Sequence, residues 1–217
     1  MSAKVPSHPI MVANTPRLYR ISPTLEALER LERLELSKPP KFTIENRSEV
    51  ASALEETKPE RWALSDVWAL PPDAAIPTVS VVARGDAFSL DYFLCGFDFI
   101  SEELWEILRP FAATAHLLDL HISGSDQAFV AKNFKLPIFP SLSPFEKIFV
   151  EAVLDAYPDA PELRVRHEFR PPAAIFNVAT GPWLMCVEEV VAAVMPRSFS
   201  GLEFVNVETG ARLIPGC

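Results

Sequence analysis

The sequence predicts a single compact domain of the α+β class, with short mixed strands and four or five helices. Short β-branched runs alternate with amphipathic segments of helical period, but they form no regular series of strand, helix and strand. Prolines are frequent (21) and glycines are scarce (7), which is typical of short elements joined by stiff loops. The chain has 217 residues, of which 49% are hydrophobic, and this is enough for one well-buried core.

A short pattern occurs twice in the second half of the chain, with an offset of 86 residues. The copies run from Phe97 to Pro110 and from Trp183 to Pro196. Each has an apolar lead-in, a Glu-Glu pair, about two turns of apolar-rich helix and a terminating proline. An apolar segment of strand character follows each copy, from His116 to Ile122 and from Leu202 to Val207. The repetition therefore predicts two similar helix–strand segments.

The two Glu-Glu pairs, at 102–103 and 188–189, are predicted to lie at helix N-termini. The helix dipole favours negative charge there, and Ser101 is a suitable N-cap for the first helix. The same carboxylates could instead form an acidic edge that faces a partner. Adjacent helical residues point about 100° apart, so neither pair can share one proton as a catalytic dyad does. The apolar helix faces predict a core around Leu104, Leu108, Ile148, Phe149, Val153, Val190 and Val194.

The first part of the chain is predicted to hold an arm and one regular helix. Residues 1–16 are aperiodic and are assigned to an N-terminal arm, ahead of a single domain over 17–217 in which 17–61 could form a subregion. A strand is expected from Arg17 to Ile21, followed by a helix that begins at Ser22-Pro23. The Leu-Glu triplets of this helix turn about 60° per step, which gives it a broad, imperfect apolar face. That face either packs on the body or binds a partner.

The middle of the chain is predicted from β-branching, prolines and caps. Pro77 to Ala83 and Phe88 to Leu94 should pair as a hairpin around a turn at Arg84. Ser143-Pro144-Phe145-Glu146 is a capping box and predicts a helix to Tyr157, after an irregular connection from Leu136 to Pro144. The other expected elements are a strand at Phe42–Ile44, a helix at Arg47–Lys58 capped by Ser48, strands at Leu163–Phe169 and Ala174–Val178, and a terminal hairpin of Leu202–Val207 with Arg212–Ile214.

No catalytic or cofactor constellation stands out. His116 and His121 are five residues apart in a predicted strand, so they face opposite sides and cannot chelate one ion together. Glycine-rich phosphate loops and nucleophile motifs are missing from the sequence. The cysteines, Cys95, Cys186 and Cys217, are odd in number and widely spaced, which favours reduced thiols over disulfides. We therefore expect no metal, no cofactor and no disulfide.

The charge distribution bears on partners. The net charge is −9, and residues 62–121 contain nine acidic and two basic residues, a local net charge of −7. Such a negative surface disfavours the binding of nucleic acid and favours a basic protein partner. Its charge could also serve only to keep the protein soluble.

The sequence has no run of about 18 apolar residues that would predict a membrane span, and no apolar stretch of signal-peptide length begins it. We therefore expect a cytoplasmic protein with no membrane partner, and we leave its oligomeric state open. The first candidates for a partner-binding surface are Asp91, Asp98, Glu102, Glu103, Glu106 and Asp119.

Two short segments carry a family resemblance. The first segment resembles a junction in bacterial polymorphic-toxin immunity proteins and reads Phe97-Asp98-Phe99-Ile100-Ser101-Glu102-Glu103-Leu104. The second resembles a stretch near the end of such chains and reads Ser200-Gly201-Leu202-Glu203-Phe204. The resemblance implies a small cytosolic protein that binds its cognate toxin and blocks it, without cofactor or turnover. It assigns no residue roles. Two alternatives stay open: an enzyme whose site is assembled from scattered Asp, Glu and His, and a regulatory or scaffolding protein.

Overall fold

The fold is α+β, as the sequence predicts: short helices pack against several small mixed sheets. The helices are α1 (Leu25–Glu35), α2 (Arg47–Glu56), α3 (Glu102–Leu108), α4 (Gln127–Ala131) and α5 (Glu188–Val194). The computed structural model describes residues 17–58, 67–84, 89–142, 149–150, 164–166, 168–178 and 183–216.

The strands are short, and the longest has six residues. They are β1 (Leu18–Pro23), β2 (Phe42–Ile44), β3 (Val67–Trp68), β4 (Val79–Ala83), β5 (Tyr92–Leu94), β6 (Asp98–Ile100), β7 (His116–Leu118), β8 (Leu120–Gly124), β9 (Leu136–Ile138), β10 (Ser141–Leu142), β11 (Phe149–Val150), β12 (Arg164–Val165), β13 (Ile175–Val178), β14 (Trp183–Val187), β15 (Leu202–Asn206) and β16 (Arg212–Leu213).

The largest sheet has seven strands in the order β16-β15-β1-β14-β13-β10-β3. Its neighbours are antiparallel except for the parallel pair β10 and β13. The predicted strand near the start of the chain is thus a central strand, and the predicted terminal hairpin is confirmed as β15 and β16. The first helix begins later than predicted, because Ser22 and Pro23 continue β1 and the Thr24 hydroxyl accepts the capping hydrogen bond from the Ala27 amide.

The smaller sheets contradict the predicted hairpin of Pro77–Ala83 with Phe88–Leu94. Strand β4 pairs with β2 and, in parallel, with β8, whereas β5 pairs with β6. Three alternate residues of β4 are buried, so its register is decided by the core and not by the following turn. The remaining small sheets are β7 with β9 and β11 with β12.

Three further predictions need correction. The segment predicted as irregular, Leu136–Pro144, contains β9 and β10. The predicted helix to Tyr157 is wrong at Phe149–Val150, which pair with β12, and its other residues lie outside the described ranges. The N-cap residue of α2 is Asn46 and not Ser48, which lies inside the helix. Asn46 makes no side-chain capping bond, because its side chain donates to the Thr78 carbonyl and accepts from the Ser80 amide of β4.

The β5–β6 hairpin lies between two hydrophobic cores. Adjacent strand residues point to opposite faces. The Phe93 and Phe99 rings stack with centroids 4.5 Å apart in one core, while Tyr92 and Ile100 are buried in the other. The first core also contains α1 and the three-stranded sheet, and the second contains α3, α5 and part of the large sheet. The hairpin therefore joins the two cores.

The predicted repeat is confirmed. Helices α3 and α5 each begin with a Glu-Glu pair, each is followed by a strand, and they contact each other in the second core. Burial matches position by position, since Leu104 and Val190, Trp105 and Val191, and Leu108 and Val194 are all buried. The copies differ at the cap, because the Ser101 hydroxyl accepts a hydrogen bond from the Leu104 amide whereas α5 has no side-chain cap. Of the other predicted core residues, Ile148, Val153 and the Phe149 side chain lie outside the description.

Candidate functional site

A cavity of about 760 Å³ lies between α1, α2, the turn of the β5–β6 hairpin and one edge of the large sheet. This volume is within the range of small-ligand pockets. Its apolar walls include Leu31, Leu54, Trp68, Ile138 and Leu184. Its ionisable lining groups are Glu35, Arg47, Glu55, Lys58, Cys95 and Asp98.

Asp98 is one of the residues that line this cavity. Asp98 begins β6 on the same face as Tyr92, and its Oδ1 accepts a hydrogen bond of 2.8 Å from the Tyr92 hydroxyl. Among the described residues, Oδ2 receives no hydrogen bond. Burial raises the pKa of Asp98 to about 6, because the single hydrogen bond from Tyr92 only partly offsets the loss of solvent. A sequence-predicted surface residue is thus an internal carboxyl group facing a cavity.

Glu35 and Cys95 form a second polar contact in the cavity, and no pattern in the sequence marks either as a site residue. The Cys95 thiol donates to Glu35 Oε1 at 3.1 Å, across 60 residues of sequence. Burial, then the hydrogen bond and the charge of Glu35, raise the pKa of Cys95 to about 12. Cys95 therefore stays a protonated thiol at neutral pH and is not an activated nucleophile. It is free, as is the buried Cys186, in agreement with the prediction for these two residues.

Two basic side chains lie on the α2 side of the cavity. Lys58 pairs with Glu55, and its ammonium lies 5.7 Å from the centroid of the Trp68 ring. The Arg47 guanidinium lies against Gly96, where an added Cβ would meet Nε at 2.6 Å. Among the described residues, no ion pair joins Arg47 to Asp98 or to Glu35. With Asp98 ionised, the cavity lining carries three carboxylates and two cations.

Asp91, another predicted partner-binding residue, is buried and serves the fold. Its Oδ1 accepts from the Lys132 ammonium, and its Oδ2 accepts from the amide and the hydroxyl of Ser200. Burial alone would raise the pKa of Asp91, but the hydrogen bonds from Lys132 and Ser200 and the Lys132 charge lower it below its usual value. In the free protein, this carboxylate is not accessible to a partner.

Both segments that carry the family resemblance meet at Asp91 and Tyr92. The Ser101 amide donates to the Asp91 carbonyl, and Asp98 accepts from the Tyr92 hydroxyl. From the second segment, Gly201 lies against the Tyr92 carbonyl, 2.3 Å from the position of an added Cβ. The residues of both segments thus hold one junction of the fold together.

The other predicted acidic residues are exposed. Glu102, Glu103 and Glu106 lie on α3, and Asp119 lies between β7 and β8. Hydrogen bonds from Asn133 and then Lys135 lower the pKa of Glu102. Glu106 pairs with Arg109 at 2.9 Å, and Lys135 lies 3.4 Å from Glu102. The α3 carboxylates thus form one exposed acidic group, whereas Asp119 lies in the link between β7 and β8, two strands of different sheets.

Three further questions about the described residues concern a metal site, histidines in the cavity and a membrane-spanning helix. They include no group of three or more His, Cys, Asp or Glu arranged to hold a metal ion. His116 and His121 do not line the cavity. In the part of the chain that the structure describes, no helix is both long and apolar enough to cross a membrane.

Comparison with known protein families finds no match to the chain, and comparison with curated proteins finds no significant match.

Proposed function

We propose that this protein is a cytoplasmic immunity protein, which binds a cognate toxin stoichiometrically through an acidic surface that includes α3. The observation that carries the proposal is the exposed group of Glu102, Glu103 and Glu106 on a helix whose opposite face is buried. The core holds the helix in place, so these carboxylates are presented to a partner without ordering a new segment. Asp119, exposed between β7 and β8, remains a candidate partner-binding residue outside this helix.

The ion pairs on α3 are compatible with binding. Arg109 makes a solvent-exposed contact to Glu106, and exposed pairs of this kind are weak, while the partly buried Lys135 contacts the exposed Glu102. A basic partner can replace them, since the exchanged contacts are of the same chemical type. Glu103 has no ion pair among the described residues and is free to meet a cation of the partner.

The test is the association rate with the toxin, identified from the product of the neighbouring gene or by pull-down from the native host. Replacement of both Glu102 and Glu106 by Lys should slow association and weaken its dependence on salt, because electrostatic steering acts mainly on the on-rate. The repeat supplies a control of equal charge change, the replacement of Glu188 and Glu189 by Lys at the start of α5. Equal on-rates for the α3 variant and the wild-type protein, together with indifference to salt, would contradict the proposal.

The cavity favours a second candidate function, an enzyme with a site built from scattered acidic residues. A cavity that holds a carboxyl group with a raised pKa is common at catalytic sites. In this case Asp98 would act as the general acid or base, because the Cys95 thiol is protonated. Turnover of a substrate by the purified protein, abolished by Asp98→Asn, would favour this candidate over stoichiometric binding.

A further inference from the structure

We propose that the cavity between α1, α2 and the β5–β6 hairpin receives a basic side chain of the partner, with its guanidinium or ammonium group between Asp98 and Glu35. This inference rests on the proposed function and adds to it a specific anchor point. An exposed acidic helix offers an electrostatic steering surface, and a cavity lined by carboxylates offers a pocket for one anchoring residue.

The hydrogen bonding of the two carboxylates supports a cationic occupant. Asp98 has one neutral donor, the Tyr92 hydroxyl, and Glu35 has one weak donor, the Cys95 thiol. Each has acceptor positions that no described residue uses. Burial applies to Asp98, whereas Glu35 is an exposed residue at the cavity lining. A buried carboxylate is stabilised when a cation or further donors pair with it, and a guanidinium offers five donors.

The walls of the cavity suit the aliphatic part of such a side chain. Leu31, Leu54 and Ile138 give apolar surface on three sides, and long basic side chains bury their methylene groups along such surface. With Asp98 ionised, the lining has one negative charge in excess, which an entering cation neutralises.

The binding of a cation should depend on the ionisation of Asp98. The other ionisable groups around Asp98 are Glu35 from α1, Arg47 and Glu55 from α2, Lys58, Tyr92 and Cys95. A cation pairs with the carboxylate and not with the carboxylic acid. With the pKa of Asp98 at about 6, we expect the affinity for a cation to rise about tenfold from pH 5 to pH 7.

The experiment titrates the protein with n-butylguanidinium chloride and follows the Trp68 indole N–H signal by NMR. We expect saturable binding, at least about tenfold weaker in Asp98→Asn, and weaker in Glu35→Gln with its pH dependence kept. Glu32→Gln, on the exposed side of α1, is the matched control and should bind as the wild-type protein does. Equal binding of n-butanol, or unchanged binding and pH dependence in both cavity variants, would overturn the inference.

A second arm distinguishes a protein side chain from a free small molecule. The peptide Gly-Gly-Arg-Gly-Gly should shift the same signal and compete with n-butylguanidinium, because a partner's arginine enters from a peptide backbone. Binding of n-butylguanidinium without binding of the peptide would assign the cavity to small amines or guanidines, and would contradict the inference. If Asp98→Asn does not fold, the wild-type pH profile and Glu35→Gln still decide the outcome.

The two experiments can contradict the proposed function and the cavity anchor independently of each other. A slow association rate in the α3 double variant, with no guanidinium binding, supports the acidic surface and overturns the anchor. Guanidinium and peptide binding, with an on-rate indifferent to salt and to the α3 variant, overturn the acidic surface and leave a cation pocket.

Discussion

At the scale of single residues, Gly201 is required by its position against the hairpin. Its φ is +85°, a backbone conformation that L side chains rarely adopt, and an added Cβ would lie 2.3 Å from the Tyr92 carbonyl oxygen. Gly210 also has a positive φ, +69°, but nothing lies within 4 Å of its added Cβ. Substitution of each glycine by alanine therefore distinguishes two free-energy costs. At Gly210 only the backbone conformation is strained, and at Gly201 a steric clash is added.

We predict that Gly210→Ala lowers the free energy of unfolding by about 1 kcal/mol, from backbone strain alone. Gly201→Ala should lower it by more than about 2 kcal/mol, because the methyl group also displaces Tyr92 and with it the hairpin. Denaturant unfolding of both variants measures the difference. Equal decreases in the free energy of unfolding would show that the chain around Tyr92 moves away from the added methyl group at no cost.

At the scale of elements, the two copies of the repeat show how one pattern is used in two places. The buried positions of α3 and α5 coincide, and both helices pack in the second core. Their preceding strands differ, because β14 lies inside the seven-stranded sheet whereas β6 forms a two-stranded sheet with β5 and a single bridge from Ile100 to Lys135. The shared pattern therefore encodes a helix that presents the same face to the core, and the sheet partners are encoded elsewhere.

We predict that Ser101→Ala lowers the free energy of unfolding by about 1 kcal/mol, since it removes the side-chain cap of α3. The control is Ser48→Ala, because the capping pattern predicted Ser48 as a cap and the structure places it, exposed, within α2. That substitution should change stability by less than about 0.5 kcal/mol. A larger loss for Ser48 than for Ser101 would reverse both cap assignments.

At the scale of the whole molecule, the Asp91 carboxylate joins three distant parts of the chain. It binds Lys132 at the end of α4 and Ser200 before β15, which is 109 residues away in sequence. The pKa of Asp91 is lowered in the folded state, so its contribution to stability is present above the unfolded pKa of about 3.9 and is lost as the pH falls through the lower folded pKa.

We predict that Asp91→Asn lowers the free energy of unfolding by about 2 kcal/mol at pH 7, because Lys132 loses its charged partner. The difference from the wild-type protein should shrink as the pH falls below about 3.9, because Asp91 is protonated first in the unfolded state and, at lower pH, in the folded state. Urea unfolding across this pH range measures it. Glu29→Gln, which breaks the exposed pair with Arg33, is the control and should cost less than about 0.5 kcal/mol at either pH.

The acidic residues show how far the sequence predicts the candidate site. The positions of Glu102, Glu103 and Glu106 on α3 followed from the apolar period and the cap, which are local features. The burial of Asp91 and Asp98 could not be predicted in this way, since their donors come from Lys132, Ser200 and Tyr92 through tertiary packing. Asp98 carried one local signal, a single charge within the apolar run from Phe97 to Ile100.

The sequence alone determined the α+β class, the helices that begin at the two Glu-Glu pairs and the terminal hairpin. Each follows from interactions within a few turns of helix or across one tight turn, so a local pattern is sufficient. Only the tertiary structure decided the partners of β4 and β5, the buried role of Asp91 and the cavity that joins Asp98 to Glu35. These features depend on contacts between residues far apart in sequence, such as Glu35 and Cys95, which are 60 positions apart. Burial of apolar residues in the two cores selects among the possible strand pairings.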